Sequence, residues 1–397
     1  MKRVYITTVI VALAALVIFG AIYAVWEKEP VRGVVKVGFI YDSDESTPYT
    51  YNFALAASAL ERELQENVRI YTRSNIPDAE TAEPARDLVR AGCEIIFTNN
   101  YSPQFEEVAR EYPDVQFCQS SFNSGNHSDY PANYHTFNGE IYQGRYVSGV
   151  AAGMKLREMI DNGKLDSDAA LVGYVGAYPS VEVVSGYTAF LLGVRSVAPE
   201  ATMRVRYTQA WSSYNREKTC AKRLIEEGCV VICQHTDTIG PAIACEEAAA
   251  AGKPIVHVAY NQSMADIAPG TSLVCARVNW APYVISAVRA VRAKEDIEKS
   301  VEADINGNDA RAGFDHDWVQ VMELNRQIAA YGTEEKIQKA IDALKRGSLQ
   351  VFKGDYTGVD PDDPSDTVDL SQGYKENDGA SWPTFHYLLD DVITVET

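Results

Sequence analysis

The chain of 397 residues has little of what marks a disulfide-rich protein, a zinc protein or a nucleic-acid-binding protein. Its seven cysteines are an odd number at irregular spacings, so they form neither a disulfide framework nor a zinc-ligand pattern. They are better explained as buried small hydrophobic side chains. Lys and Arg number 36 against 55 Asp and Glu, a net charge of −19. Because no basic stripe offsets this charge, which repels phosphate backbones, we expect no nucleic-acid partner.

Catalytic signatures are also missing from the sequence. It has no Gly-x-Ser-x-Gly elbow, no Walker loop and no Gly-x-Gly-x-x-Gly after its first predicted strand. Among six histidines only His235 follows a predicted strand, and it could form a general-base pair with Asp237. No nucleophile or metal ligand is spaced with that pair, which favours a ligand-binding or structural role. We therefore expect no enzyme activity, no cofactor and no metal.

One long hydrophobic run is present, at the N-terminus. No charged residue occurs from Val4 to Trp26, and Lys2 and Arg3 precede the run. As a helix this run would span about 34 Å, enough to cross the hydrocarbon core of a bilayer. The preceding positive charges favour a cytoplasmic N-terminus. We predict that residues 1–30 form an uncleaved membrane anchor and that the rest is extracytoplasmic; a cleaved signal peptide is the alternative.

From Val34 onward, short apolar strands alternate with helical segments, which predicts an α/β fold with doubly wound parallel sheets. A first set of predicted strands comprises Val34–Ile40, Val68–Tyr71, Cys93–Phe97 and Val115–Cys118. A second set comprises Ala170–Val175, Met203–Thr208, Val230–Cys233 and Ile255–Val258. The polar segment Phe122–Tyr134 is interpreted as the crossover between the two sets. Glu295–Arg346 is predicted to be helical, as is a short segment near Pro383–Leu389.

Two sets of this kind predict two lobes with a ligand cleft between the carboxyl ends of their strands. We predict that lobe 1 comprises residues 34–124 and about 263–345. Lobe 2 is predicted to comprise residues 130–262 and about 346–397, with a hinge joining the two.

Aromatic and uncharged polar side chains dominate the positions near the predicted strand ends. Turn positions are commonly rich in Asn, Asp and Ser, so the polar residues alone indicate little. The aromatic rings are harder to explain in that way, and they suit a flat polar heterocycle. The candidate ligand-binding residues are Tyr41, Asp42, Tyr49, Asn52, Asn99, Asn100, Ser121, Tyr178, Glu182, Trp211, His235, Asp237, Tyr260, Asn261 and Trp280. For Glu182, capping of the following helix is an alternative role.

Several stretches resemble the basic membrane protein (BMP) family of ABC-transporter substrate-binding proteins, whose best-understood members are purine nucleoside receptors. The stretches are Tyr142–Leu156, Val172–Ala201, Glu226–Thr238, Val278–Tyr283 and the Phe-x-Gly turn Phe352–Gly354. The resemblance extends over the whole exported part of the chain. It implies a type I periplasmic-binding-protein fold with hinged lobes, no catalysis, and an ABC permease and ATPase as partners. We also expect the chain to be a monomer.

The chain departs from the family at positions that bear on the ligand. Tyr49, Tyr51 and Asn52 stand where nucleoside-binding members carry an Asp-x-x-Phe-Asn-like opening of the first helix. The position of the ribose-binding carboxylate falls on Ala259. By the same resemblance, Trp211 matches the aromatic residue that stacks on the base. The family's lipid-anchored Cys is replaced here by the N-terminal apolar run.

The loss of a carboxylate at Ala259 implies that a free purine base is bound in preference to its nucleoside. Nucleosides remain possible ligands if Asp42 or Glu182 reaches the sugar.

Three functions are compatible with these features. The first is a solute-binding receptor that delivers a purine base or purine nucleoside to an ABC permease. The second is a membrane-tethered sensor or co-receptor with the same fold, although no signalling segment accompanies the predicted anchor. The third is an exported nucleoside hydrolase, which the missing catalytic set disfavours.

Overall fold

The computed structural model describes residues 33–120 and 129–396. The predicted membrane anchor and the candidate Ser121 lie outside the described residues. Within the described part of the chain, no helix has both the length and the apolar character needed to span a bilayer.

Short strands and helices alternate along most of the described chain. The strands are β1 (Val35–Ile40), β2 (Val68–Arg73), β3 (Ile95–Thr98), β4 (Gln116–Ser120), β5 (Tyr134–Gly139), β6 (Leu171–Gly176), β7 (Thr202–Tyr207), β8 (Val231–His235), β9 (Val256–Tyr260), β10 (Ser272–Val278), β11 (Asp304–Asn306), β12 (Asp309–Ala312), β13 (Val319–Val321), β14 (Thr357–Val359), β15 (Thr367–Asp369), β16 (Leu388–Leu389) and β17 (Ile393–Glu396). The α-helices are α1 (Pro48–Leu64), α2 (Ala82–Arg90), α3 (Pro103–Glu111), α4 (Ile141–Asp161), α5 (Val181–Arg195), α6 (Tyr214–Glu226), α7 (Gly240–Ala250), α8 (Ala281–Ala293), α9 (Ile297–Ser300) and α10 (Thr333–Lys345).

The two main sheets repeat one strand order. The first sheet runs β11-β12-β5-β4-β3-β1-β2 and the second runs β13-β10-β9-β8-β6-β7-β17. Within them, β2-β1-β3-β4-β5 and β7-β6-β8-β9-β10 are parallel throughout. This is the doubly wound order, and ligands of such sheets bind where the order reverses, beyond β1 and β3 and beyond β6 and β8. The predicted α/β fold with parallel-sheet lobes is confirmed.

The strands are apolar because helices cover both faces of each sheet. In β1, Val37 and Phe39 belong to the same buried cluster as Phe53 of α1. The next residue, Ile40, belongs to a second cluster with Leu88 of α2. Because successive side chains of a strand point to opposite faces, such a strand requires a mostly apolar run, in which Lys36 is the exception and donates to the Ala91 oxygen.

Helices α4 and α5 pack unusually closely in the second lobe. A Cβ atom on Gly149 would lie 2.1 Å from the Phe190 carbonyl oxygen, and one on Gly193 would lie 2.0 Å from the Tyr146 oxygen. Only glycine allows this approach, which explains the small residues in the stretch Tyr142–Leu156. The contact fixes the start of α5, which carries Glu182, relative to α4.

The chain passes between the sheets three times: after β5, after β10, and between β12 and β13. The three crossovers are hydrogen-bonded to one another. The Glu140 amide donates to the Ala312 oxygen at 2.9 Å, and the Asn279 amide donates to the Trp318 oxygen at 2.8 Å. Three short adjacent segments of this kind can act as a hinge.

The strand assignments differ from the predicted lobe boundaries in two places. Strand β5 belongs to the first sheet, so the chain changes lobe after Gly139 and not within Phe122–Tyr134. Strands β10 and β13 belong to the second sheet, although residues 263–345 were predicted in lobe 1. An apolar pattern predicts a strand but does not reveal which sheet its backbone joins.

Two helix predictions are wrong. Glu295–Arg346 contains only the helices α9 and α10, and the strands β11, β12 and β13 lie between them. These strands are three or four residues long, too short to show an alternating pattern among charged side chains. Near Pro383–Leu389 the chain is extended and ends in β16. The buried Glu376 carboxylate holds it there by accepting the backbone amides of Thr384 and Phe385.

Candidate functional site

A small cavity lies between the lobes where both sheets reverse their strand order. Its volume is about 70 Å³, counted as the space that the centres of water molecules can occupy. On that measure, one water molecule needs about 10–15 Å³. The cavity therefore holds several waters or one small planar ring. Three carboxylates and four aromatic rings line it: Asp42, Glu182, Asp237, Tyr49, Tyr101, Trp211 and Tyr260. All but Tyr101 are candidates from the sequence.

Larger grooves occur elsewhere on the described surface. One of them, of about 700 Å³, is open to solvent and lies at the amino end of β5. There, both ring nitrogens of His135 already have partners, Glu298 and Gln116. The groove lies away from the edge at which doubly wound sheets bind ligands, so the interlobe cavity is the better candidate.

In the first lobe, Asp42 is held by neighbours of its own lobe. It follows β1, and its Oδ1 accepts hydrogen bonds from Thr50 Oγ1 at 2.7 Å and from Asn99 Nδ2 at 2.8 Å. The Asp42 amide donates in return to Asn99 Oδ1 at 2.9 Å. Burial raises the pKa of Asp42, and the bonds from Thr50 and Asn99 oppose that rise. Asn99 therefore positions Asp42 and does not itself line the cavity.

The two tyrosines of the first lobe are hydrogen-bonded to each other. The Tyr49 hydroxyl lies 2.8 Å from Ser120 Oγ and 3.1 Å from the Tyr101 hydroxyl. Burial raises the pKa of both tyrosines, so both remain neutral donors at physiological pH. Their rings provide an aromatic wall whose polar ends are already bonded.

In the second lobe, Glu182 lies in the first turn of α5. Its Oε1 lies 3.5 Å from the Tyr260 hydroxyl, which donates to it, and 3.7 Å from His235 Nε2. Burial raises the pKa of Glu182 to about 7, and the positive charge of Arg145 opposes that rise. Near neutral pH this carboxyl can therefore either donate or accept a hydrogen bond.

Asp237 and His235 flank the end of β8 with free polar atoms. Asp237 Oδ1 and His235 Nε2 are buried, and neither has a hydrogen-bond partner within the described residues. Burial, followed by the negative charges of Glu217 and Asp42, raises the pKa of Asp237 well above its usual range. Burial, followed by the charge of Arg145, lowers the pKa of His235 well below its usual range. Unbonded buried polar atoms are costly, and a bound ligand could satisfy them.

A buried glutamate holds the two loops that carry Trp211 and Asp237. Glu217 Oε1 accepts the Ser213 amide at 2.8 Å, and its Oε2 accepts the Thr238 hydroxyl at 2.7 Å. The Asp237 amide donates to the Trp211 oxygen at 2.9 Å. Glu217 thus fixes the ring and the carboxyl group relative to each other.

Arg145 of α4 lies behind the cavity without a carboxylate in contact. Its guanidinium carbon lies 3.9 Å from the ring centroid of Tyr260, and Nη1 donates to the Gln234 oxygen at 2.9 Å. Its Nε and Nη2 have no hydrogen-bond partner among the described residues. A fully buried cation of this kind stabilises negative charge on Glu182 and supports the Tyr260 ring by a cation–π contact.

The other sequence candidates have roles around the cavity. Tyr178 is half-exposed with its ring 6.1 Å from that of Trp211, and His235 packs 4.4 Å from the Tyr260 ring. Asn52 Nδ2 donates to the Asn261 oxygen at 3.0 Å, a direct bond between the lobes. Asn261 adopts a φ of 58°, a left-handed conformation that asparagine tolerates.

Three candidates lie away from the cavity lining. Tyr41 and Trp280 are buried in the main hydrophobic cluster, and the Trp280 ring packs 4.6 Å from that of Phe53. Asn100 Nδ2 donates to the Ile76 oxygen and so holds a neighbouring loop. An aromatic or amide near a strand end can equally face the core, a distinction that the sequence pattern does not make.

Sequence reasoning missed Tyr101, Arg145 and Glu217. Tyr101 follows Asn99 and Asn100 directly, so extending the β3 strand end by one residue would have included it. Arg145 is the single charged residue in the first four turns of α4, among small and apolar neighbours, and this isolation was a usable signal. Glu217 gives no such signal, because acidic residues are common in the first turn of a helix.

The argument from Ala259 does not hold in the structure. The Ala259 side chain packs in a separate buried cluster with Ala242, Met264, Ala268 and Cys275, and it is not part of the cavity lining. Because β9 side chains alternate, Tyr260 faces the cavity and Ala259 faces the helices behind the sheet. Asp42 and Glu182, the two carboxylates named as alternatives for a sugar, do line the cavity.

The sequence matches one protein family and two named proteins. The sequence model of the Bmp family, described as ABC transporter substrate-binding protein PnrA-like, matches residues 31–348. A purine-binding protein of Brucella abortus (strain 2308) is 30% identical over 288 residues, covering 71% of this chain and 74% of that protein. A protein of Haloferax volcanii named as an ABC transporter glucose-binding protein is 30% identical over 297 residues, 72% of this chain and 66% of its own length.

Among solved structures, an ABC transporter solute-binding protein from Conexibacter woesei has a TM-score of 0.59 at 18% identity, covering 80% of this chain and 98% of that one. This likeness bears on the fold alone. The family match covers most of the chain and shows that the chain belongs to the Bmp family of ABC-transporter substrate-binding proteins, whose members are not enzymes.

Proposed function

We propose that this protein binds a purine in the interlobe cavity and delivers it to an ABC permease. The observation that carries the proposal is the pairing of aromatic walls with three carboxyl groups, of which Asp237 keeps one unbonded oxygen, around a cavity the size of a small planar ring. The name of the Brucella relative, a purine-binding protein, supports the same ligand class.

The aromatic side chains supply faces for a planar ring. Trp211 approaches from the second lobe, while Tyr49 and Tyr101 approach from the first. Stacking of a nucleobase on an aromatic side chain contributes about 1–3 kcal/mol. Trp211 is the proposed platform because its ring lies at the cavity and its loop is fixed by Glu217.

The carboxyl groups of the second lobe supply the hydrogen bonds. A purine edge presents N–H donors beside ring-nitrogen or carbonyl acceptors. The pKa of Asp237 is raised well above its usual range, so this carboxyl can donate one hydrogen bond and accept another. Glu182 adds an acceptor or a donor depending on pH. These groups match a mixed donor–acceptor edge.

A hexose, suggested by the name of the Haloferax relative, fits this lining less well. A hexose carries hydroxyl groups all around its ring, and each needs both a donor and an acceptor. The lining offers carboxyl and tyrosine hydroxyl groups but no amide, lysine or arginine side chain. Several sugar hydroxyls would therefore remain unsatisfied, at about 1–3 kcal/mol each.

The cavity volume favours a free base over its nucleoside. The lobes already touch through Asn52 and Asn261, and the space between them matches one ring system without a sugar. A nucleoside requires the lobes to open further about the hinge, although Asp42 and Glu182 are placed to accept its hydroxyls. We expect a base preference of roughly tenfold, equivalent to about 1.4 kcal/mol.

Calorimetric titration of the ligand-free protein with adenine, guanine, adenosine, guanosine and glucose tests the proposal. At least one base should bind at one equivalent and more tightly than its nucleoside. Tighter binding of nucleosides would reverse the base preference while keeping the purine class. Binding of glucose alone would refute the class.

Membrane attachment is part of the proposal. The apolar run from Val4 to Trp26 would keep the binding lobes at the outer face of the membrane, near the permease. The protein should then fractionate with membranes with its N-terminus intact. An N-terminal sequence beginning near Val25 would contradict retention of the anchor.

A further inference from the structure

The C-terminal part of the chain carries a cluster of metal-ligating side chains far from the interlobe cavity. Residues beyond 348 lie outside the family match, and they form the three-stranded sheet β15-β14-β16. Asp360 follows β14, Asp366 precedes β15 and His386 precedes β16. We propose that Asp360, Asp366 and His386 bind a divalent transition-metal cation of the Zn²⁺ type.

The distances are close to those of a coordinated cation. His386 Nε2 lies 3.6 Å from Asp360 Oδ2 and 3.9 Å from Asp366 Oδ2. All three ligand atoms lie within 4.8 Å of one another. Around a tetrahedral Zn²⁺ with bonds near 2.1 Å, neighbouring ligand atoms are about 3.3–3.5 Å apart. The two distances from His386 are within about half an ångström of that spacing.

The imidazole is oriented as a metal ligand is. His386 Nδ1 lies 2.8 Å from the Thr384 carbonyl oxygen, which can only accept, so Nδ1 carries a proton. Metal-binding histidines commonly donate their second ring N–H to such a carbonyl, which fixes both tautomer and ring direction. The Nε2 atom is thereby left facing the two carboxylates.

Both carboxylates are also held in place. The Asp360 backbone amide donates to the Asp366 backbone carbonyl oxygen at 3.0 Å, which ties the two residues together across the loop between β14 and β15. Asp360 Oδ1 accepts the Asp362 amide, which leaves Oδ2 toward the histidine. The Tyr387 hydroxyl donates to Asp366 at 3.3 Å, and its ring stacks on His386. The three ligands therefore need little reordering to bind a cation.

The charge around the cluster is strongly negative. The segment 355–369 contains six aspartates and neither lysine nor arginine. In the described residues, the ion pairs of Asp360 and Asp366 involve His386 alone. A divalent cation would relieve this repulsion more fully than a protonated imidazole, which carries one charge.

The ligand set indicates which cation is bound. One imidazole with two carboxylates suits Zn²⁺, Mn²⁺ and similar metals, whereas Ca²⁺ takes six to eight oxygen ligands. The cluster is partly exposed, with 37% of the His386 side chain accessible. Water can therefore complete the coordination.

The test is a calorimetric titration of the full chain, freed of metal by a chelator, with ZnCl₂ and no purine present. We expect one equivalent to bind. His386→Gln and Asp366→Asn should each weaken binding at least tenfold. ZnCl₂ should raise the Tm of the wild type but not that of His386→Gln, and circular dichroism of both proteins confirms that each is folded.

His316→Gln is the matched control, since His316 also lies near two carboxylates. Its Nδ1 lies 3.8 Å from Glu302 and its Nε2 lies 3.7 Å from Asp315, so no single cation can bridge both. Zinc binding should be unchanged in this variant. An absence of Zn²⁺ and Mn²⁺ binding would overturn the proposal and leave His386 as an ion-pair partner. Equal binding by wild type and His386→Gln, or CaCl₂ binding that is insensitive to His386→Gln, would overturn it as well.

Discussion

The two walls of the interlobe cavity differ in how far their polar groups are satisfied. In the first lobe, Asp42 is bonded to Thr50 and Asn99, and the Tyr49 hydroxyl is bonded to Ser120 and Tyr101. In the second lobe, Asp237 Oδ1 and His235 Nε2 have no hydrogen-bond partner within the described chain. These polar groups of the first lobe have hydrogen-bond partners without a ligand, whereas the two atoms of the second lobe do not.

This difference assigns separate tasks to the two lobes. The second lobe carries Trp211 and Asp237 on loops fixed by Glu217, and Glu182 in the first turn of α5 with Arg145 nearby, so under the proposed function it recognises the ligand first. The first lobe adds preformed aromatic faces when the hinge closes. Substitutions in the second wall should therefore change binding more than equivalent substitutions in the first.

The largest expected effect is on stability and concerns Glu182, because burial of its ionised carboxylate destabilises the ligand-free fold. Its pKa rises from about 4.3 in an unfolded chain to about 7 in the fold. The stability that the fold gains by holding Glu182 protonated is thus fully present below about pH 4, and it is lost as pH rises through about 7. At pH 8, Glu182→Gln should raise the free energy of unfolding by about 3–4 kcal/mol.

Urea unfolding of the ligand-free protein at pH 5 and pH 8 measures this effect. At pH 5 the gain should fall to about 1 kcal/mol, because Glu182 is still protonated in the fold while the same carboxyl is largely ionised in the unfolded chain. Glu66→Gln, at an exposed position on the surface, is the control and should leave the free energy of unfolding unchanged at both pH values. A gain at pH 5 equal to that at pH 8 would show that ionisation of Glu182 is not the cause.

Removal of the Trp211 ring should give the next largest effect. Trp211→Ala should weaken binding of the preferred purine about 10- to 100-fold, because stacking contributes about 1–3 kcal/mol. Trp211→Phe should restore part of that affinity. The fully exposed Tyr331 offers a control, since Tyr331→Ala should leave calorimetric affinity unchanged. Normal affinity in Trp211→Ala would rule the ring out as the platform.

The carboxyl groups of the two walls allow a direct comparison. Asp237→Leu removes a donor and an acceptor at similar volume, and it should weaken purine binding about tenfold. Asp42→Asn keeps an acceptor for Thr50 and Asn99, and it should weaken binding less than about threefold. Equal losses in calorimetry would mean that both walls recognise the ligand.

The smallest effect is expected at Tyr101. Tyr101→Phe removes a hydroxyl that is bonded to Tyr49 and keeps the aromatic face. Purine affinity should fall by less than about threefold, since the lost hydrogen bond joins two protein side chains and not the ligand. A loss comparable to that of Trp211→Ala would place recognition in the first wall.

Much of the fold could be predicted from the sequence, because strands buried on both faces leave continuous apolar runs such as Val35–Ile40. The sheet that each strand joins could not be predicted, since the strands that β5 and β10 each pair with are set by contacts between distant segments. The short strands β11 to β13 were missed because three or four charged or small residues show no period.

The cavity lining was largely predictable, because parallel strands place their carboxyl ends at one edge. The pattern could not decide which way a side chain points. Tyr41 and Trp280 face the core, and Ala259 faces the outer helices, although neighbouring residues line the cavity. Glu217 acts through other groups and its place in the sequence carries no signature of that role, whereas the isolation of Arg145 among apolar residues was a signal that went unused.

Mass spectrometry of the small molecule released from natively purified protein tests the central claim most directly. Denaturation should release a purine, in an amount approaching one molecule per chain and much reduced in protein carrying Trp211→Ala. A hexose or another non-purine released at one molecule per chain would contradict the account.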